Sequence, residues 1–216
     1  MRAFFSQLIV FLILAGLVRP LGMWAAGRSS DGLVVLYDFR LAKGDIVRDR
    51  SGAGQPLNLK IENPKNVRRS EGALEVRGPT LIRSEKRADK VFKAVRRSGE
   101  ITIEAWVRPA NTRQDGPARM VTLSANSSER NFTLGQEGDK VDVRLRTTKT
   151  SGNGIPSLNS PGRSLAPRLT HIVYTRNRGG RARLFLSGKQ QVEKRVPGAM
   201  ANWNGKYRLA LANEFS

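Results

Sequence analysis

An all-β fold, two antiparallel sheets packed as a jelly-roll sandwich with one short helix near residues 86–97, follows from three features of the sequence. Short runs of alternating apolar and polar residues recur along the whole chain, the period expected of half-buried strands. Turn-forming Gly, Asn, Asp and Ser separate them at close spacing, with no strand–helix–strand rhythm to suggest a parallel sheet. A single stretch, "KRADKVFKAVRR", repeats apolar residues at helical spacing, through Ala88, Val91, Phe92 and Val95.

The elements can be justified in order. "GLVVLYDF" predicts a strand from Leu33, and "DRSGAGQ" a tight turn through Asp49, Ser51, Gly52 and Gly54. "LNLKI", "ALEVR" and "TLIRS" predict three short strands, and then Gly99 stops the helix. "EITIEAWVRP" alternates cleanly, Ile101, Ile103, Ala105 and Val107 against Thr102, Glu104, Trp106 and Arg108. "ARMVTLS" follows, and "RNFTLGQEGDKVDVRLRTT" reads as two strands around a Gly-containing turn. In its second strand Val141, Val143 and Leu145 face a core, while Asp142, Arg144 and Arg146 face outward. "SGNGIPSLNSPGRSLAP" is a long surface loop. "THIVYTRNRGGRARLFLSGKQQVEKRV" predicts a meander turning at Asn177–Gly180 and at Ser187-Gly188, and "KYRLALAN" is the last strand.

The 216 residues suffice for one well-buried domain. With 38 Lys and Arg against 18 Asp and Glu, the formal charge is +20, which favours polyanionic partners without choosing among polysaccharide, lipid and nucleic acid. Aromatic content of 6% argues against a specific nucleic-acid reader, which interleaves bases with aromatic side chains. The absence of cysteine excludes disulfides, thiolate metal sites and Cys nucleophiles. The first 27 residues read as a segment apart: Arg2, an apolar run from Phe4 to Val18, and small residues Ala25-Ala26-Gly27. This is a secretory signal peptide or an uncleaved membrane anchor, with the domain proper at 28–216. Cleavage would remove Arg2 and Arg19, leaving 36 basic against 18 acidic residues, a charge of +18. The expected location is exported: cell envelope, periplasm or extracellular space. Membrane contact is expected only where the segment stays attached.

Taken together, "GLVVLYDF…GDIVRDRSGAGQPLNL", "ITIEAWVRP" and "HIVYTRNRGGRARLFLSGK" resemble the laminin-G-like branch of the concanavalin A-like lectin/glucanase superfamily. "RNFTLGQ", "RLRTT" and "WNGKYRLALANE" are similar to a bacterial secreted subgroup of it. The likeness runs from about Gly32 to Glu214. It departs at Leu186-Ser187-Gly188, where the family carries an Asp before the Gly. The resemblance also implies one or two strands after "LANE", so the chain is expected to lack its last strand or strands.

Glucanases of that superfamily carry carboxylates spaced E-x-D-x-x-E on one strand. Here Glu104 is followed at i+2 by Trp106 and by no acid before Asp115, so the acid/nucleophile pair of a retaining glycosidase is missing. Glu104 is expected to pair with an arginine of a neighbouring strand, and His171, the sole histidine, to pack or hydrogen-bond rather than catalyse. Superfamily relatives often bind calcium in loops, which makes Asp49 the candidate ligand; its other reading is a turn former. Arg144 and Arg146, with Asn202, Trp203 and Tyr207, form the candidate carbohydrate site: guanidiniums for carboxylate or sulfate, aromatic faces for sugar rings, amides for hydroxyls. The expected function is a non-catalytic, exported, lectin-like module for acidic glycans. The other readings are a structural or protein-interaction accessory module at the envelope and a degenerate glycoside hydrolase.

Overall fold

A computed structural model describes residues 8–11, 31–41 and 43–215. Among these described residues, fifteen strands form two antiparallel sheets. They are β1 (Leu8–Phe11), β2 (Ile46–Val47), β3 (Leu59–Ile61), β4 (Val67–Ser70), β5 (Ala73–Val76), β6 (Ile82–Ser84), β7 (Ile101–Pro109), β8 (Ala118–Ser124), β9 (Arg130–Glu137) and β10 (Lys140–Leu145), followed by β11 (Leu158–Asn159), β12 (Thr170–Arg176), β13 (Arg181–Leu186), β14 (Lys189–Arg195) and β15 (Arg208–Leu211). The seven-stranded sheet runs β14-β13-β12-β7-β1-β5-β4, and the eight-stranded sheet β11-β10-β9-β8-β15-β6-β3-β2. Their inner faces share one core, in which Leu74, Val107, Ile172, Tyr174 and Leu184 of the first sheet join Leu134, Val141, Val143 and Leu209 of the second. The expected sandwich is therefore observed, with the alternation of β7 and β10 pointing as read: Ile101, Ile103 and Val107, and Val141, Val143 and Leu145, are all buried.

The helix α1 (Asp89–Ser98) packs Val91 and Val95, with Ala88 just before it, into this core. It ends where Gly99 adopts φ 69°, a left-handed turn that only glycine enters cheaply, and the Gly99 N–H closes on the Val95 carbonyl at 2.8 Å. The meander turns where expected, and at Ser187-Gly188 both residues have positive φ, the tight geometry that matches the twist of a two-stranded ribbon. Arg176 at the end of β12 is interior. Its guanidinium donates to the carbonyls of Gly99 at 3.0 Å, of Val196 at 3.1 Å, and of Gly198, so one side chain satisfies three acceptors from two segments.

One expectation changes. "GLVVLYDF" is not a strand: Leu33–Phe39 lies outside both ladders, and its bonds go to the neighbouring turn, the Arg50 N–H donating to the Leu36 carbonyl at 2.8 Å and the Leu36 N–H to Asp49 at 3.2 Å. The place between β5 and β7 belongs instead to Leu8–Phe11, from the apolar run at the N-terminus, in antiparallel register with both. The other features of the leader, Arg2, Arg19 and Ala25-Ala26-Gly27, lie outside the described residues. Among the described residues no helix is long and apolar enough to cross a membrane.

Candidate functional site

The outward face of β8, β9 and β10 carries the polar set of the molecule. Cross-strand register aligns Thr122 with Thr133 and Thr133 with Arg144, and Gly135 with Asp142. Every residue of β9 except Glu137 is buried, so this face is covered as well as the core face. The cover comes from two pieces. One is the loop after β10, where Gly154 comes so close to Leu145 that a Cβ would sit 2.7 Å from its nitrogen. The other is the segment after β15, which turns back at Ala212 with φ 64° and lays Glu214 and Phe215 against the sheet.

Under this cover arginines converge. Arg130 is fully buried; it donates to the Thr133 hydroxyl at 2.9 Å and to the Ser127 carbonyl, and lies 3.3 Å from the Glu214 carboxylate. Arg119 pairs with the other Glu214 oxygen and with the carbonyls of Gly116 and Pro117. Arg208 stacks over the Phe215 ring at 4.5 Å. Arg144 is held by Asp142 at 3.0 Å and by the Asn153 amide oxygen at 3.3 Å. The Nε donors of Arg119 and Arg130 are buried with no hydrogen-bond partner among the described residues. Burial pushes the Arg130 guanidinium down to about 10, against the opposing pull of Glu214. Such a cluster can hold an anion by charge-assisted bonds to several guanidiniums.

The sequence-predicted residues fall into two groups. Arg144 stands beside Asp142 on this face, as read. Arg146, Asn202, Trp203 and Tyr207 do come together, at the rim, but largely as a structural tie. The Tyr207 hydroxyl donates to Glu129 at 2.8 Å and Arg146 binds the same carboxylate at 3.0 Å. Burial, and then Glu129, raise the Tyr207 phenol. The Trp203 indole N–H donates to the Arg146 carbonyl at 2.8 Å and the Asn202 amide to the Thr147 carbonyl at 2.9 Å. Trp203 and Tyr207 are only 4% and 6% exposed, so neither ring offers a face for sugar stacking; they anchor the 200–207 loop to the end of β10.

Asp49 is also occupied. It accepts the N–H groups of Leu36, Ser51 and Leu57 and pairs with Lys90 of α1. Burial alone would raise this carboxyl, but the Lys90 ammonium and the N–H donors outweigh it and hold it below the usual carboxylate range. A calcium ion here would have to displace that ammonium, and no group of three His, Asp or Glu among the described residues is placed to hold a metal. Glu104 meets His171: Nε2 and Oε1 are 2.9 Å apart, and Trp106 stacks on the imidazole at 4.4 Å.

Sequence reasoning missed Arg119, Arg130 and Glu214. By simple alternation Arg130 shares a face with Phe132 and Leu134. A bulge sets Leu123 opposite Phe132 but Ser124 opposite Arg130, so Asn131 is an extra residue and the phase of Arg130 is reversed. No local signal marks this.

Solved structures of similar shape include receptor-binding and other binding domains. This chain superposes on a botulinum neurotoxin type C, whose cell entry depends on interaction with two ganglioside molecules, with 15% identity and a TM-score of 0.55 over 87% of this chain and 44% of that one. The botulinum neurotoxin serotype C1 binding domain gives 13% identity and 0.56 over 87% and 44%. The binding domain of botulinum neurotoxin DC, in complex with rat synaptotagmin II, gives 12% and 0.51 over 87% and 49%. The chain thus spans about half the length of these structures or less. No curated protein matches it in sequence. Its residues 88–216 match a laminin-G-type family profile, and with a two-sheet antiparallel sandwich to go with that match, the chain belongs to the concanavalin A-like lectin/glucanases superfamily.

Proposed function

We propose that the protein is a non-catalytic, exported binding module whose arginine-bearing sheet face takes the carboxylate or sulfate of an acidic glycan. The observation that carries this reading is Glu214: a carboxylate already seated between Arg119 and Arg130, with buried Nε donors beside it still without partners. Arg144 and Arg146 extend the guanidinium set to the rim, where a longer ligand would pass. The similarity in shape to a ganglioside-dependent toxin and to a synaptotagmin-bound domain supports a binding role, for glycan or for protein. The acids on the arginine face, Asp142 and Glu214, are each paired with arginine, which leaves no acid/nucleophile pair there and disfavours hydrolysis.

A glycan array run at low and high salt tests this. Acidic glycans are expected to bind and neutral ones not to, with signal falling as salt rises. Arg144→Ala with Arg146→Ala should weaken binding more than Arg68→Ala with Arg69→Ala; equal losses would reduce the site to diffuse charge attraction. Binding should persist in chelator, because Lys90 already answers Asp49. Array binding confined to neutral glycans, or to none while an envelope protein is captured, would overturn the reading. Export is tested separately by mass spectrometry of the N-terminus in the native host, with cleavage expected near Arg28.

A further inference from the structure

We propose that the segment after β15, residues 212–215, is a built-in plug: it closes the arginine face with the chain's own carboxylate, and an external sulfate or carboxylate enters by displacing it. The inference rests on the acidic-ligand reading above and adds to it how the site is opened.

Glu214 holds the position of an anion without making an anion's bonds. Its two oxygens lie against guanidinium nitrogens of Arg119 and Arg130, one on each, yet neither oxygen forms a hydrogen bond with a described residue. Other ion pairs of the molecule are aligned: Arg144 Nε donates to Asp142 at 3.0 Å and Arg183 Nε to Glu193 at 2.8 Å. Around Glu214 the Nε donors are the ones left over. Those of Arg119 and Arg130 are buried and unpartnered among the described residues, and so is the hydroxyl of Ser124, which stands opposite Arg130 in the β8–β9 register. A guanidinium grips a carboxylate or sulfate best through two parallel N–H groups, which the unused Nε donors can supply. The carboxylate tethered at residue 214 compensates charge only. On this face Arg119, Arg130, Arg144 and Arg208 meet two carboxylates, Glu214 and Asp142, and opening takes one of the two away. The open face is therefore the more attractive to an anion.

The segment is fastened lightly. Ala212 donates its N–H to the Met120 carbonyl at 3.2 Å, the Asn213 amide donates to the Thr80 carbonyl at 3.3 Å, and the Glu214 N–H turns back on the Asn213 side chain at 2.8 Å. Among the described residues no backbone–backbone bond joins 213–215 to the sheet. Ala212 sits at φ 64°, a left-handed conformation that a Cβ disfavours and that an opened chain can relax. What holds the closed form is then mainly two side chains, Glu214 on its arginines and the Phe215 ring under Arg208 at 4.5 Å. A competing anion acts on the first of these directly.

The test measures binding of inorganic sulfate and of a sulfated disaccharide by calorimetry, at constant ionic strength against chloride. It uses the full chain, Glu214→Gln, and Glu71→Gln, an exposed acid of the β4–β5 turn that controls for net charge. Amide hydrogen exchange of residues 212–215 is followed in parallel. Glu214→Gln is expected to bind sulfate about tenfold more tightly than the unaltered chain, which corresponds to a face open about a tenth of the time. Glu71→Gln is expected to bind as the unaltered chain does. Sulfate is expected to speed exchange in 212–215 of the unaltered chain, a readout that stands even where Glu214→Gln folds poorly. Equal or weaker sulfate binding by folded Glu214→Gln, an equal gain in Glu71→Gln, or exchange in 212–215 that sulfate leaves unchanged or slows overturns the proposal. Disaccharide that binds Glu214→Gln and the unaltered chain alike overturns it too, and leaves the acidic-glycan reading standing. Sulfate that behaves as expected, with no disaccharide binding, upholds the plug and overturns the glycan reading. Binding of neither ligand to any of the three chains overturns both.

Discussion

The outer faces of the two sheets are written in the same alternating code and meet opposite fates. On the seven-stranded sheet, β13 and β14 hold Arg181 and Arg183 around Glu193, with all three side chains in water: Arg183 at 2.8 Å and Arg181 at 3.7 Å share one carboxylate. On the eight-stranded sheet, Arg130 and Glu214 make a comparable pair with almost no exposure. Solvent screens the first and the fold must satisfy the second, so a charge count alone does not locate the pairs that matter. What differs is the cover, which comes from the 150–165 loop and from residues 212–215.

That contrast can be broken from its costly end. Arg130→Ala leaves the buried Glu214 with half its partners and should destabilise the fold by about 3–5 kcal/mol, seen in chemical denaturation; a loss below about 1 kcal/mol would mean that water reaches this face as freely as the other. Acid titration sharpens it next. Asp49 is held below its ordinary range by Lys90 and backbone N–H groups, so its contribution is complete above the unfolded value of about 3.9 and is lost as pH falls through the lower folded value. The melting temperature of the unaltered protein should therefore drop at acidic pH, and Asp49→Asn should be less stable at neutral pH with a flatter acid limb. Thr122→Val comes third. It removes the 2.7 Å contact with the Thr133 hydroxyl and the bond to the Phe132 carbonyl inside the covered face, at about 1–2 kcal/mol. Smallest is Arg183→Ala on the solvated face, for which the melting curve should not move; a clear shift there would show that the exposed pair is structural after all.

Much of the sandwich was legible because β7, β10 and the β12–β14 meander obey the period of two and carry their turns in plain residues such as Asn177, Gly180 and Gly188. The helix was equally plain, from Ala88, Val91 and Val95 to Gly99. The site was only half legible. Arg144 and Asp142 follow the alternation and were found; Arg130 does not, because the extra residue Asn131 reverses its phase through a pairing that only the folded sheet defines. Trp203 and Tyr207 misled for a related reason. An aromatic in a polar stretch reads as exposed, but the Arg146 carbonyl and Glu129, from distant parts of the chain, answer their polar atoms and let the rings go inside. Leu33–Phe39 has a strand's composition without a strand's neighbours: propensity is a local property, pairing is not.

Arg176 has a consequence in time as well as in space. The carbonyls it collects come from Gly99, Val196 and Gly198, so the turn after α1 and the 196–198 corner have no common fastening until β12 is in place between them. Those contacts span 77 residues on one side and about 20 on the other, so the long loop must close before the guanidinium has all its acceptors. The corner after β14 is thus set to be among the last parts of the chain to stop moving during folding, and the tip of α1 and that corner should come loose together when the folded protein first opens.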